Sequence, residues 1–228
     1  IFRPEENARR LQSSAASLFI PAPSEELFVS MCQRLVKENI DYLPPYGHNA
    51  SLYIRPTLIG SNPQLGVKSS DEVVLYMLCS PVGAYVGGTL QPCNAVIARN
   101  HDRAAMYGTG RFKVGGNYAA SLYALNIAHQ QGYSAVLHLD PAEHMFIDEF
   151  NTYVTPKSDS ILPSITNKSL ITVAEHLGMT VERRQVPVEE METFEEVGEC
   201  GTAVVITPVS YIDDKRLLED KEITKRYT

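Results

Sequence analysis

Lys113 stands between Phe112 and Val114, with Gly108 and Gly110 before it and Gly115 and Gly116 after it. Glycine carries no β-carbon, so its backbone can approach a ligand closely. A lysine amine drawn out of bulk water in such a place can attack a carbonyl and form a Schiff base. The competing reading is a solvated lysine on a loose loop, the commoner fate of this residue. Tyr118 follows at the start of an expected helix and could hydrogen-bond a phenolic ligand oxygen. It could equally be an ordinary half-buried tyrosine.

Other residues offer chemistry that each alone leaves open. Leu162-Pro163-Ser164-Ile165-Thr166 leads into a helix, and exposed N–H groups there suit a phosphate, although plain capping by Ser or Thr is commoner. Cys200-Gly201-Thr202-Ala203 could bring backbone N–H groups to a ligand, or be only a tight turn. Glu149 could face a pyridinium nitrogen, or be a solvated carboxylate. Arg55, between Ile54 and Pro56, could bind a carboxylate with its bidentate fork, or pair with an acid on a sheet face.

The elements that must hold these groups follow from apolar spacing and breakers. Pro4 to Leu18 reads as a helix, with Glu5 and Glu6 at its positive end. Ser24 caps a second helix reaching about Ile40. Ser51–Ile59 and Glu72–Ser80 read as strands, and Gly83 to Pro92 as a linker between two lobes. Asn94–Arg99 is a short strand, and a helix runs from about Tyr118 to Gln131, stopped by Gly132. Ala135–Leu139 and Val181–Val188 read as strands, with a helix between them from Ser164 or Thr166 to Leu177. Val188–Glu196 reads as helical and acidic, and Thr202–Val209 as one buried strand. The pattern predicts a mixed α/β, α+β fold in two lobes, residues 1–86 and 87–228.

Composition narrows the classes. The 228 residues are 44% hydrophobic and 21% charged, the balance of a water-soluble fold. No apolar run is long enough to span a bilayer. A net charge of −7 argues against nucleic acid or an anionic membrane as partner. Four cysteines with no CxxC pair suit neither a disulfide scaffold nor a zinc site and predict a reducing, cytoplasmic setting with no metal. Ile1 in place of Met predicts a processed, truncated or partly represented chain.

Taken together, SLYIRPTLIG, SPVGAY, GRFKVGGNYAAS, IDEF, TPKSDSILPSITNKS and CGTAVVITPV resemble the branched-chain-amino-acid aminotransferases, fold-type IV enzymes that use pyridoxal 5'-phosphate. The resemblance runs from Phe2 to about Ile212. It implies that Lys113 holds the cofactor, Tyr118 bonds its phenolic oxygen and Glu149 faces its pyridine nitrogen. It assigns the phosphate to the backbone at Ile165 and Thr166, with Thr202. Tyr53, Arg55, Val67 and Tyr85 resemble the small-lobe substrate residues, and Thr202 with Ala203 those near the substrate carboxylate. The implied reaction moves the amino group of L-leucine, L-isoleucine or L-valine to 2-oxoglutarate in a homodimer, so the partners are amino acids and 2-oxo acids. Other fold-type IV enzymes, D-amino-acid aminotransferases and aminodeoxychorismate lyases, share the Lys and Glu but should lack SLYIRPT. A non-catalytic homologue is the remaining alternative. The chain departs from the family in three places. The small lobe is incomplete before Phe2, Phe150–Asn151 reads as a join across an absent loop, and the tail after Asp214 does not match.

Overall fold

The computed structural model describes residues 2–47, 50–83, 92–149, 154–194, 196–202 and 205–217, with only the backbone at 148–149 and 215–216. It divides into two compact units, Ile1–Gly88 and Thr89–Thr228. The expected linker core at 84–91 and the expected join at Phe150–Asn151 lie outside the described residues.

In the first unit, α1 (Pro4–Ser17) starts with proline in its first turn and Glu5 and Glu6 at its positive end. The next helix, α2 (Glu25–Glu38), is capped by Ser24, whose Oγ accepts the Leu27 N–H at 3.2 Å. The Arg9 guanidinium forks onto the Glu25 carboxylate at 3.0 and 3.1 Å and fastens α1 to α2. Two antiparallel strands follow, β1 (Ser51–Gly60) and β2 (Val73–Val82), with Arg55 opposite Leu78 and Thr57 opposite Tyr76. Side chains alternate between the two faces of such a ribbon. Ile54 and Met77 pack toward Ala8, Phe28 and Cys32.

The second unit is built on β3 (Cys93–Ala98), α3 (Gly115–Gln130) and β4 (Ala135–Leu139), a parallel strand–helix–strand crossover. Then come β5 (Ile147–Glu149), β6 (Val154–Pro156), α4 (Ile165–His176), β7 (Glu182–Arg184), β8 (Gly198–Gly201), β9 (Val205–Ile212) and β10 (Lys215–Arg216). The main sheet has the order β10-β9-β3-β4-β5, with β8 also paired to β9, and β6 pairs parallel with β7. Ala95, Ile97, Leu137, Leu139, Val209 and Ile212 form the centre of its core. Mixed strands with helices between them match the expected fold class. No described helix is long and apolar enough to cross a membrane.

Several boundaries differ from the sequence reading for physical reasons. The helix expected from Tyr118 begins three residues earlier, because Gly115 and Gly116 enter its first turn rather than a loop. The strand expected over Val181–Val188 is confined to Glu182–Arg184. Val186 gives its carbonyl to Ile147 instead, and Pro187 has no N–H to continue a ladder. The expected strand Thr202–Val209 is the return arm of a hairpin, with Gly201 opposite Val205. The acidic stretch forms a 3-10 helix over Val188–Thr193.

Candidate active site

Lys113 lies where the connection leaving β3 meets α3. The Val114 N–H donates to the Phe112 carbonyl at 3.0 Å, so Lys113 is the central residue of a three-residue γ-turn. Phe112 in turn donates its N–H to the Thr109 carbonyl at 2.9 Å. These bonds set the direction in which the lysine leaves the backbone. Its amine donates to the Tyr118 hydroxyl at 2.5 Å and sits 4.6 Å from the centre of the Tyr118 ring. Five residues of separation, a turn and then a helix's first turn, thus bring the two expected reactive groups into direct contact. Lys113 is exposed and Tyr118 is 48% exposed, so a ligand can reach both.

The back of this turn is crowded. A β-carbon at Gly110 would lie 2.3 Å from the Ser160 carbonyl oxygen and 2.9 Å from the Ala104 side chain. That same Ser160 carbonyl accepts a hydrogen bond at 2.5 Å from the guanidinium of buried Arg103. The lysine turn is therefore packed against the segment that leads into α4. Neither Arg103 nor Asn117 stands out in the sequence. Asn117 is buried, and its carboxamide bonds back to Thr109 and Phe112. A polar amide among the small residues of a helix's first turn is the one signal that could have drawn attention to it.

At the start of α4, Ser164 caps the helix by accepting the Asn167 N–H at 3.2 Å. Asn167 reaches on to the Thr155 hydroxyl of β6 at 2.8 Å, anchoring the helix start to the β6–β7 pair. Helix geometry gives the N–H groups of Ile165 and Thr166 no intrahelical acceptor. They and the positive end of the helix dipole favour an anion. Thr202 is exposed in the hairpin turn after β8, a strand against which α4 packs. Ala203 lies outside the described residues.

Glu149 ends β5, with its backbone opposite His138 of β4. The turn before β5 is organised by one carboxylate. Asp140 accepts N–H groups from Ala142 and Glu143 on one oxygen, and from Met145 and Phe146 on the other, at 2.8–3.2 Å. Burial pushes the Asp140 carboxyl up, but these four donors outweigh it and hold it below the usual carboxylate range. Sequence alone does not mark Asp140, because a lone Asp after a strand reads as a turn residue.

In the first unit, the Arg55 guanidinium carbon lies 5.3 Å from the centre of the Tyr53 ring. Val67 is fully exposed on the β1–β2 loop. The base of that loop is closed by buried Ser70, which meets Asn62 and the Glu72 carbonyl, and by the Glu72 N–H donating to Asn62 at 2.8 Å. Tyr85 lies outside the described residues.

Comparison with known proteins bears on this arrangement. The pattern of the family described as Amino-transferase class IV matches residues 1–212. A branched-chain-amino-acid aminotransferase of Helicobacter pylori is 47% identical over 225 residues, covering 93% of this chain and 66% of that protein. One of Haemophilus influenzae is 46% identical over 229 residues, with the same coverage of 93% and 66%. The chain thus spans just under two thirds of the length of these curated relatives. Among solved structures, the branched-chain amino acid aminotransferase of Escherichia coli has a TM-score of 0.83 at 25% identity, covering 100% of this chain and 80% of that one. The enzyme of Thermobaculum terrenum, solved in its PLP-form, has a TM-score of 0.78 at 25% identity, covering 95% and 72%.

Proposed function

The chain belongs to the class IV aminotransferase family, and from that premise we propose that it exchanges the amino group of L-leucine, L-isoleucine or L-valine with 2-oxoglutarate, using pyridoxal 5'-phosphate. The observation that carries this reading is the Lys113 amine held 2.5 Å from the Tyr118 hydroxyl on a turn packed against the approach to α4. The names of the relatives supply the substrate class.

The residues fit the cofactor. A primary amine and a phenol stand together, exposed, and a helix start offers unspent N–H groups on the segment their turn is packed against. Lys113 would hold the cofactor, Tyr118 its ring hydroxyl, Glu149 its pyridine nitrogen, and Ile165, Thr166 and Thr202 its phosphate. When bound, pyridoxal phosphate supplies a carbonyl carbon that takes up the amino group and a ring that accepts electrons from the substrate Cα.

The chain's own residues then do the rest. With the cofactor bound, the Lys113 Nζ would serve as the base that takes the proton from the substrate Cα and as the acid that delivers it to the cofactor carbon, which keeps the nitrogen. Tyr118 holds that Nζ in place between the two transfers. Glu149 would keep the bound cofactor's pyridine nitrogen protonated. Arg55 pairs with a carboxylate, and Tyr53, Val67 and Tyr85 offer the apolar and hydrogen-bonding surface that a branched side chain and 2-oxoglutarate must share. Thr202 and Ala203 would serve the substrate carboxylate. The working enzyme is a homodimer.

The test is a substrate panel on the full-length protein with 2-oxoglutarate as acceptor. L-Leucine, L-isoleucine and L-valine should yield glutamate, and Lys113→Ala should abolish it. Turnover of D-alanine with none of L-leucine would assign the chain to a different fold-type IV activity. Covalent capture of the cofactor without any transamination would make it a non-catalytic homologue.

A further inference from the structure

We infer that Asn117 is a positioning residue for Lys113, and that the reactivity of the lysine amine toward a carbonyl depends on its carboxamide. The inference rests on the reading of Lys113 as the cofactor-bearing lysine.

Asn117 is 5% exposed in the first turn of α3. Its Oδ1 accepts from the Thr109 hydroxyl at 2.7 Å, and its Nδ2 donates to the Thr109 carbonyl at 2.7 Å and to the Phe112 carbonyl at 3.0 Å. A carboxamide can make about four hydrogen bonds. Three of them are made here, all to the two residues that begin and end the loop before Lys113. The Phe112 carbonyl also receives the Val114 N–H. It is thus held by two donors that both follow Lys113 in sequence, so the lysine's Cα is pinned between them.

Two further features make this a matter of positioning as well as stability. First, no side chain caps the start of α3, where Val114 is the N-cap. The turn is therefore fastened from within the helix, by Asn117, rather than by a capping residue outside it. Second, Tyr118 is the next residue, so one backbone segment fixes both Asn117 and the phenol that meets the Lys113 amine. Releasing Phe112 loosens the base of the lysine while the phenol at its tip stays on the helix. A lysine side chain is a long flexible stem, so a shifted base is amplified at Nζ. A displacement of about 1 Å at a reacting group costs on the order of a hundredfold in rate.

The test uses the full-length protein and the variants Asn117→Asp, Asn117→Ala and Thr109→Val, with Lys113→Ala as control. Asn117→Asp keeps the shape but cannot donate to either carbonyl. Thr109→Val removes only the hydroxyl bond and covers the case in which the Asn117 variants do not fold. The first readout needs no turnover. Cofactor-free protein is exposed to pyridoxal phosphate, trapped with borohydride at intervals and mapped by mass spectrometry. Labelling at Lys113 should slow by roughly ten- to a hundredfold in both Asn117 variants and by about threefold in Thr109→Val, with the other lysines unchanged. Amide exchange should rise about tenfold at residues 112–114 and stay constant in β3 and α4. In the loaded enzyme kcat should fall while KM for L-leucine stays within about twofold. Lys113 labelling within about twofold of the parent in a folded Asn117→Ala variant, or at the parent's own rate in Thr109→Val, would overturn the inference. So would faster exchange spread evenly over the second unit, which marks a purely structural role. Capture by Lys113→Ala at the parent's rate would instead refute the reading of Lys113 itself.

Discussion

Gly110→Ala should destabilise the protein although it adds one methyl group to a loop. The methyl would meet the Ser160 carbonyl oxygen at 2.3 Å and its carbon at 2.9 Å, and contacts under 3.0 Å are essentially never seen at a real β-carbon. The obstacle is backbone, so no side chain can swing away. Restoring ordinary contact requires the two segments to part by roughly 1 Å. That separation also stretches the hydrogen bond from the Arg103 guanidinium to the Ser160 carbonyl, now 2.5 Å, to the limit of hydrogen bonding. Overpacking costs about 1–3 kcal/mol, and losing a buried hydrogen bond to a charged group about 1.5–3 kcal/mol more. Alanine stiffens the unfolded chain and returns about 0.4–1 kcal/mol. The expected net loss is about 3 kcal/mol.

Urea unfolding followed by far-UV circular dichroism would measure it, with Gly115→Ala and Gly116→Ala as internal controls. Nothing lies within 4 Å of a β-carbon at either control position. Both glycines are in the first turn of α3, so alanine there should be neutral or stabilising by up to about 1 kcal/mol. If Gly110→Ala matched the controls to within about 0.5 kcal/mol, the lysine turn would not be packed on Ser160. The physical link from that turn to α4 would then fail.

Tyr118→Phe removes the hydroxyl that meets Lys113 and keeps a half-exposed ring, so it should leave stability within about 0.5 kcal/mol. Turnover should fall about tenfold or more, read by glutamate formation. Asp140→Asn replaces an acceptor of four N–H groups by one that must point an NH2 at two of them. It should cost about 2–3 kcal/mol at pH 7 by urea unfolding. Because the folded carboxyl is held below its unfolded value, near 3.9, the native state binds fewer protons than the unfolded one. The contribution is therefore complete above about pH 4 and lost as pH falls through the folded value. The variant should show a shallower decline there, and an unchanged acid limb would disprove the assignment. The Cys93 thiol is pushed up to about 11 by burial and then by the Glu199 charge. At pH 8 roughly one in a thousand such thiols is ionised, so iodoacetamide should spare Cys93 in the folded protein and modify it in urea.

How much of this could be read from the sequence depended on distance along the chain. Lys113, its glycines and Tyr118 lie within one short stretch, and their composition alone pointed to a reactive amine near a phenol. The Ser164 cap of α4 was legible for the same reason. The turn's partners were not. Arg103 and Ser160 are 57 positions apart, and no periodicity links them. The three-residue strands β5 and β6 are too short for an alternating pattern to register. The apolar run Thr202–Val209 looked like one strand because hydrophobicity carries no information about register. The hairpin at Gly201–Val205 was hidden by the lack of an Asn-Gly or Asp-Gly signal and by Val205 taking a φ of 55°, which a β-branched residue rarely adopts.

The four glycines around Lys113 look equivalent in sequence, yet the structure separates them by what their missing side chains make room for. At Gly110 backbone stands where a methyl would go, 2.3 Å from the Ser160 carbonyl oxygen, and at Gly108 a methyl would be tight against Ala105, 3.2 Å from both its carbonyl oxygen and its side chain. They let the chain close up behind the lysine. Gly115 and Gly116 face open space, and neither has the positive φ that would demand glycine. Each lowers helix stability by up to about 1 kcal/mol relative to alanine, with no packing to offset it. Packing thus fixes the loop before the lysine, while the helix start after it is left bare. A reaction centre needs that division, because a nucleophile must be held firmly from behind and approached closely from the front.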